Sequence, residues 1–260
     1  MILGINGIRL VGKRSGVGRC IEEVVRCMGD ESHPFDEIHI YTPEPLGHDV
    51  KLPAVARNVV LPSSLPPGLW EQVTLRNAHP ARAPLFCPSY VIPLTTRSPT
   101  LLVHHGSYEG YPSAFSWWTL NKARAIYSAS AHRATVVTTV SEFSRRDMAK
   151  YYRIDPERIH VIPEGVDTHA FRPLPGDARV SEWRSMNLGA DRPFILYVGK
   201  PTERRNLSSL IHAFGSLRKK NAIPHKLVIA GADLPGSSPF RQVVAEESLS
   251  DDVVVIGYLS

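Results

Sequence analysis

The stretch Gly16-Val17-Gly18-Arg19 sets two glycines and a guanidinium at the start of a predicted helix. Backbone N–H groups left open at such a point attract an anion, such as a diphosphate or an acceptor phosphate, and the same glycines equally suit a tight turn. Just upstream, Gly7-Ile8-Arg9-Leu10-Val11-Gly12-Lys13-Arg14 comes within one residue of a P-loop. Arg14 stands where a hydroxyl should hold magnesium, so that reading is set aside. His104-His105 lies at the carboxyl end of an apolar predicted strand, where open α/β sheets place their ligands. Such a pair also occurs as loop histidines with solvated or hydrogen-bonded rings, and no further ligands stand near it at metal-site spacing. Gly199-Lys200-Pro201-Thr202-Glu203-Arg204-Arg205-Asn206 joins a predicted strand to a predicted helix and offers cations to a phosphate, or a solvated basic loop. Trp117-Trp118 could stack on a sugar, although paired aromatics on a helix more often belong to a core or interface.

These residues need a scaffold that gathers strand ends. Ile2-Leu3-Gly4-Ile5-Asn6 has the composition of a buried strand, and Ile21, Val24, Val25 and Met28 recur at helical spacing after it. Further strands are predicted at 38–41, 100–103, 135–139 and 159–162, and Ser141 can cap a helix running through Phe143 and Met148 towards Tyr151. Residues 43 to 99 are dense in proline and carry no assignment beyond an irregular region. A linker is expected at 172–177, after which the pattern restarts: strands at 194–198, 227–230 and 253–256, with a helix turning Leu207, Leu210, Ile211, Phe214 and Leu217 inward. Alternation of this kind predicts two α/β domains with parallel sheets, at 1–175 and 188–260. The second has three strands where a doubly wound sheet normally has five or six, so the chain is expected to stop mid-domain.

Composition sets outer limits. With 43% hydrophobic and 21% charged residues the chain can build a packed core, and a net charge of +5 implies no dedicated nucleic-acid binding. Cys20, Cys27 and Cys87 form no Cys-x-x-Cys pair, which argues against a disulfide framework or zinc site and fits a reducing cytosol. No apolar run approaches the roughly 20 residues of a membrane span.

Taken in order, these segments resemble glycosyltransferase family 4. The resemblance rests on Gly16-Val17-Gly18-Arg19, His104-His105-Gly106-Ser107-Tyr108-Glu109 with Tyr111-Pro112 and Phe115, and Val140-Ser141-Glu142-Phe143-Ser144. It continues through Arg158-Ile159-His160-Val161-Ile162-Pro163-Glu164-Gly165-Val166-Asp167, Phe171-Arg172-Pro173 and Tyr197-Val198-Gly199-Lys200 to Arg205-Asn206.

The resemblance implies a GT-B fold, two Rossmann-like domains facing one another with the second incomplete. It implies sugar transfer from a nucleotide sugar with retention of configuration, without an obligatory metal or other cofactor. Lys200 and Arg205 match the two basic donor-phosphate positions, with Lys where Arg is usual and Arg where Lys is usual. Fixed cations and helix N-termini would then meet the charge on the leaving diphosphate. His104 matches an active-site histidine that contacts the donor sugar near the reacting carbon, and His105 departs from the usual Asp. Gly16, Gly18 and Arg19 match an acceptor or diphosphate loop. Two glutamates eight positions apart, which bind donor sugar and ribose in the family, would fall beyond Ser260, so a truncated gene product is expected. The segment from His104 to Phe115 is most similar to bacterial enzymes that add mannose or rhamnose to surface polysaccharides. This favours GDP-mannose as donor, a glycan or lipid-linked saccharide as acceptor, and a cytoplasmic protein with peripheral contact to the inner membrane face. A non-catalytic remnant that binds acceptor or a partner, and a GT-B-like nucleotide-sugar epimerase, are the alternatives.

Overall fold

A computed structural model describes residues 1–14, 16–105, 112, 115–173, 178–188, 192–231, 234 and 238–258. The chain divides into two compact units, Met1–Val166 and Asp167–Ser260. The division precedes the expected linker, whose residues 174–177 lie outside the described residues.

Unit 1 opens with β1 (Ile2–Asn6), a 3-10 turn (Ile8–Leu10) and α1 (Gly16–Asp30), followed by β2 (Glu37–Thr42) and β3 (Ala56–Val60). Three helical pieces then run end to end: α2 (Pro67–Leu69), a π-helical turn (Trp70–Leu75) and α3 (Arg76–Ala78). β4 (Leu85–Cys87), β5 (Thr100–His104), α4 (Trp117–Arg133), β6 (Val136–Thr139), α5 (Glu142–Tyr152) and β7 (Ile159–Val161) complete the unit. The strands form one sheet in the order β3-β2-β1-β4-β5-β6-β7, and every pairing is parallel.

The proline-dense stretch thus contributes two strands and a helical run. β4 has three residues and β3 carries Arg57 and Asn58 at its middle, so neither shows the apolar run of a buried strand. Their register comes from neighbours instead: Asn58 Nδ2 donates to the Ile40 carbonyl and to Thr42 Oγ1.

Burial follows the helical period with losses at its margins. On α1, Ile21 and Val25 are buried, but Val24 is 37% exposed, because it lies about 60° around the helix from Ile21. Trp117 and Trp118, at 67% and 78% exposure, begin α4 on the surface and are not core. Ser116 caps that helix by accepting from Thr119 N, and Ser141 caps α5 by accepting from Ser144 N. One apolar cluster gathers Ile5, Leu10, Ile21 and Ile40, and the other gathers Trp70, Leu75, Leu102, Val137 and Met148.

Unit 2 contains α6 (Ala178–Leu188), β8 (Phe194–Val198), a 3-10 turn (Glu203–Arg205), α7 (Leu207–Lys219), β9 (Lys226–Ala230), α8 (Pro239–Glu246) and β10 (Val253–Gly257). Its sheet has the order β10-β9-β8 and is parallel. Leu207, Ile211, Phe214, Leu227 and Ile229 form its core. Leu217, expected to face inward, is 40% exposed, being about 80° around the helix from Leu207.

Candidate functional site

Parallel strands deliver their carboxyl ends to one edge of a sheet, so the residues following β1, β4, β5 and β7 gather at that edge in unit 1. His104 closes β5 and is 1% exposed. Its ring stands edge-on to Tyr90, Tyr127 and Tyr152, with centroids 4.9, 5.8 and 5.3 Å away. Burial first, and the neighbouring His105 second, push its pKa down to about 3. At neutral pH His104 therefore carries no charge and can act only as a neutral hydrogen-bonding ring. Thr139 Oγ1 fixes the strand end by donating to the His104 carbonyl at 2.6 Å.

His105 turns the other way. Its Nε2 bonds the Pro88 carbonyl at 3.2 Å and its Nδ1 lies 4.0 Å from Glu164 Oε1. Glu164 also accepts from the Cys20 thiol on α1, whose pKa is raised by burial foremost and by this carboxylate. Tyr90 touches both histidines, its ring 5.4 Å from that of His105. It holds φ 62, a left-handed conformation uncommon for an aromatic residue and found disproportionately where a site needs a fixed side chain.

The α1 start gives one glycine a packing role. A methyl group on Gly18 would collide with the Arg9 carbonyl oxygen, so Gly18 lets the helix lie against the 3-10 turn. Gly16 has open space where a side chain would go, and Arg19 beside it is exposed. Arg14 is a structural cation: Nη2 donates to Asp49 at 2.6 Å and Nε lies 3.1 Å from Glu22.

Unit 2 places its cations at the carboxyl end of β8. Gly199 has φ 142, and a side chain there would run into the Arg205 guanidinium, which folds back with Nη1 3.5 Å from the Val198 carbonyl. Gly231, at the end of β9 with φ 116, lies so close that an added carbon would meet Gly199 N at 2.8 Å. This contact of two backbones lies beside Arg205, and the exposed Lys200 follows Gly199 in the chain. Among the described residues, Thr202 Oγ1 and Tyr197 Oη are shielded from solvent without a hydrogen-bond partner.

His104, His105, Arg19 and Gly16 thus belong to unit 1 and Lys200 and Arg205 to unit 2. Glu71, Asn6, Arg9, Ser89 and Gly231 join these sites without a sequence signal, and Glu164 was legible only as one letter of the family resemblance. Glu71 lies in the stretch whose prolines hide its periodicity. No described helix is long and apolar enough to cross a membrane, and no described group of three or more His, Cys, Asp or Glu is placed to hold a metal ion.

Two parallel α/β units that present glycines and cations at strand ends define a class, and comparison with known proteins gives the family. Residues 14–170 match the model for Glycosyltransferase Family 4 and residues 181–260 match Glycosyl transferases group 1. The chain belongs to glycosyltransferase family 4. Its fold is GT-B: it superposes over 100% of its length on 69% of Anabaena HepE in complex with UDP and glucose, at TM-score 0.67 and 18% identity. The match to WaaG, a glycosyltransferase involved in lipopolysaccharide biosynthesis, has TM-score 0.68 and 15% identity over 100% of this chain and 70% of that one.

Curated relatives are more similar in sequence. An MMP alpha-(1->4)-mannosyltransferase of Mycolicibacterium hassiacum is 29% identical over 54% of this chain and 32% of that protein. A GDP-mannose-dependent alpha-(1-6)-phosphatidylinositol monomannoside mannosyltransferase of Mycobacterium tuberculosis is 27% identical over 68% of this chain and 43% of that protein. The chain spans less than half the length of these relatives.

Proposed function

We propose that this chain carries the acceptor-side unit and part of the donor-side unit of a glycosyltransferase that moves a hexose from a nucleotide sugar to a saccharide acceptor. The observation that carries this reading is the close backbone contact of Gly199 and Gly231 at the strand ends, read as a donor floor, with the Arg205 guanidinium against Gly199 and the exposed Lys200 next in the chain. An oxygen-rich dianion fits that combination, because the guanidinium and ammonium supply charge and the two glycines add no side chains of their own. Such fixed cations would stabilise the charge that develops on a departing diphosphate.

GDP-mannose is the favoured donor, supported by the names of two mannosyltransferase relatives. UDP-glucose, bound by HepE, is the donor to compare it with. Retention of configuration, a glycan or lipid-linked acceptor and peripheral attachment to a membrane face belong to the same reading. For His104 the reading keeps the role the resemblance implies, contact with the donor sugar near the reacting carbon, made by a neutral hydrogen-bonding ring.

Calorimetric titration of the chain with both nucleotide sugars tests the donor floor. Arg205→Ala should weaken binding by about 1.5–3 kcal/mol, the scale of one charge-assisted hydrogen bond, and Lys200→Ala by a similar amount. Affinity unchanged in both variants removes the floor from the donor site. In a transfer assay of a longer chain that completes the donor-side unit, His104→Ala should lower turnover far more than His105→Ala, and equal losses would assign the wrong histidine. Release of free hexose without transfer would favour an epimerase.

A further inference from the structure

Glu71 sits where a carboxyl group is costly to keep. It is 7% exposed, within the π-helical turn, and its neighbours fix that turn in place. Trp70 Nε1 donates to the Leu61 carbonyl at 2.9 Å, while Gln72 donates to the Ile92 carbonyl at 2.9 Å and accepts from Leu94 N at 2.8 Å. Glu71 is thereby aimed under the end of β1, where Oε1 accepts from Asn6 Nδ2 at 2.7 Å. Asn6 Oδ1 in turn accepts from Ile8 N at 3.3 Å, opening the 3-10 turn that carries Arg9. Arg9 Nε donates to Ser89 Oγ at 3.1 Å, beside the Tyr90 that touches both histidines.

Among the described residues, two charged or titratable groups interact with Glu71. Arg9 acts on it from the turn after β1, and Cys87 faces it from β4 as a thiol that burial keeps protonated. Burial raises Glu71 to about 7, with Asn6 and then Arg9 pulling back. A buried carboxyl with one hydrogen-bonded neighbour and one cation is a poor stabilising device, and such groups concentrate at functional sites.

We propose that Glu71 is a positioning residue of the unit 1 strand-end site: gain or loss of its proton sets how much of the Arg9 charge is available beside Ser89 to an anionic group of the acceptor. This rests on the reading of unit 1 as the acceptor side. With the proton on Glu71, Arg9 stands uncompensated and an anion is held well; with the proton gone, the carboxylate competes for the guanidinium and the anion is held less well.

Sulfate, whose charge is constant from pH 6 to 8, is the probe, followed through the Arg9 Nε–H signal by NMR. In the parent chain that signal should titrate with a midpoint near 7, and sulfate should bind at least about fivefold tighter at pH 6 than at pH 8. Both effects should vanish in Glu71→Gln. A flat Arg9 signal, equal sulfate affinity at the two pH values, or a titration that survives Glu71→Gln would overturn the proposal. Should that variant not fold, Arg9→Gln should raise the midpoint of the Glu71 carboxyl carbon signal, and an unmoved midpoint overturns it equally. Failure of both nucleotide sugars to bind, with this coupling intact, would sink the reading of the donor site and leave the Glu71–Arg9 linkage standing.

Discussion

In unit 1 the first strand, β1, lies inside its sheet between β2 and β4; in unit 2 the first strand, β8, lies at the edge and, among the described residues, is bonded to β9 alone. Both units wind the same way from that strand, as β1-β2-β3 and β8-β9-β10. The consequence is visible in matching side chains. Leu3 and Ile5 of β1 are 7% and 0% exposed, whereas Leu196 and Val198 of β8 are 51% and 65% exposed. Phe194-Ile195-Leu196-Tyr197-Val198 has the continuous apolar character of a strand covered on both faces and flanks, and its surroundings meet only part of that demand. Local sequence specifies a strand; the number of neighbours decides whether burial can repay its ordering.

The largest expected effect breaks or confirms this contrast directly. Backbone amides of β1 should exchange only through cooperative opening of unit 1, while β8 opens locally. A protection gap of about a thousandfold, roughly 4 kcal/mol, is expected between Ile5 and Leu196. Hydrogen exchange read by NMR or mass spectrometry measures it, and equal protection would mean that the exposed edge costs unit 2 nothing. The same edge should make the chain associate with itself at high concentration.

Much of the frame was legible from sequence, for a physical reason. β1, β5, β6 and all three strands of unit 2 announce themselves because strands of a helix-covered parallel sheet are rich in consecutive apolar residues, and β2 and β7 do so by apolar residues alternating with polar ones. β3 and β4 did not, because side-chain hydrogen bonds from Asn58 and three-residue pairing hold them instead of hydrophobic pattern. Site residues divide similarly. Lys200, Arg205 and His104 follow strands and could be found by position, whereas Glu71 reaches β1 through a π-turn that no periodicity encodes. The accessibility of His104 was not legible either, since only packed coordinates reveal three tyrosines around its ring.

Glycines sharpen the comparison at a smaller scale. Gly18 in unit 1 needs closeness, and Gly199 in unit 2 needs both closeness and a positive φ. Gly18→Ala presses a methyl on the rigid Arg9 carbonyl and should cost about 1–3 kcal/mol in urea unfolding of unit 1. Gly199→Ala should displace Arg205 and weaken nucleotide binding while leaving unit 1 unchanged. A Gly18→Ala chain as stable as its parent would show that α1 can shift, and that the close approach is dispensable.

Two buried groups of unit 1 pull stability in opposite directions with pH. His104, held near 3 against an ordinary 6.5, leaves the unfolded chain binding more protons, so stability falls as pH drops through that window. Glu71, raised from 4.5 to about 7, makes the folded chain the better proton binder, so its share of stability is complete below 4.5 and is lost as pH rises towards 7. From 4.5 to 6.5 the two slopes oppose each other. Below that range the His104 share falls by about 1.4 kcal/mol per pH unit, or roughly 2 kcal/mol by pH 3, and the lowered carboxyls of Asp36, Glu37 and Asp49 add to the loss. Glu71→Gln should uncover the His104 slope between 4.5 and 6.5, and the difference between the parent and variant curves isolates Glu71. Parallel curves would return its titration to an ordinary carboxylate range.

The smallest expected effect contrasts how the two units start a helix. Ser141 begins α5 with extended backbone, φ -158, and its hydroxyl accepts from Ser144 N at 3.1 Å, satisfying an otherwise orphaned donor. Asn206 begins α7 with φ 52 and makes no side-chain cap; its Oδ1 accepts from Ser209 Oγ instead. Alanine should therefore cost about 1 kcal/mol at either position, but for different reasons: a lost cap bond at Ser141, and a left-handed backbone that alanine resists at Asn206. Glycine separates them. Ser141→Gly should cost only a few tenths of a kcal/mol, since glycine is an acceptable N-cap. Asn206→Gly relieves the left-handed strain altogether and should leave unit 2 unchanged or slightly more stable. Urea midpoints for the four variants decide it: a loss at Asn206→Gly as large as at Asn206→Ala would mean that the Ser209 contact, and not the backbone conformation, fixes the turn that presents Arg205.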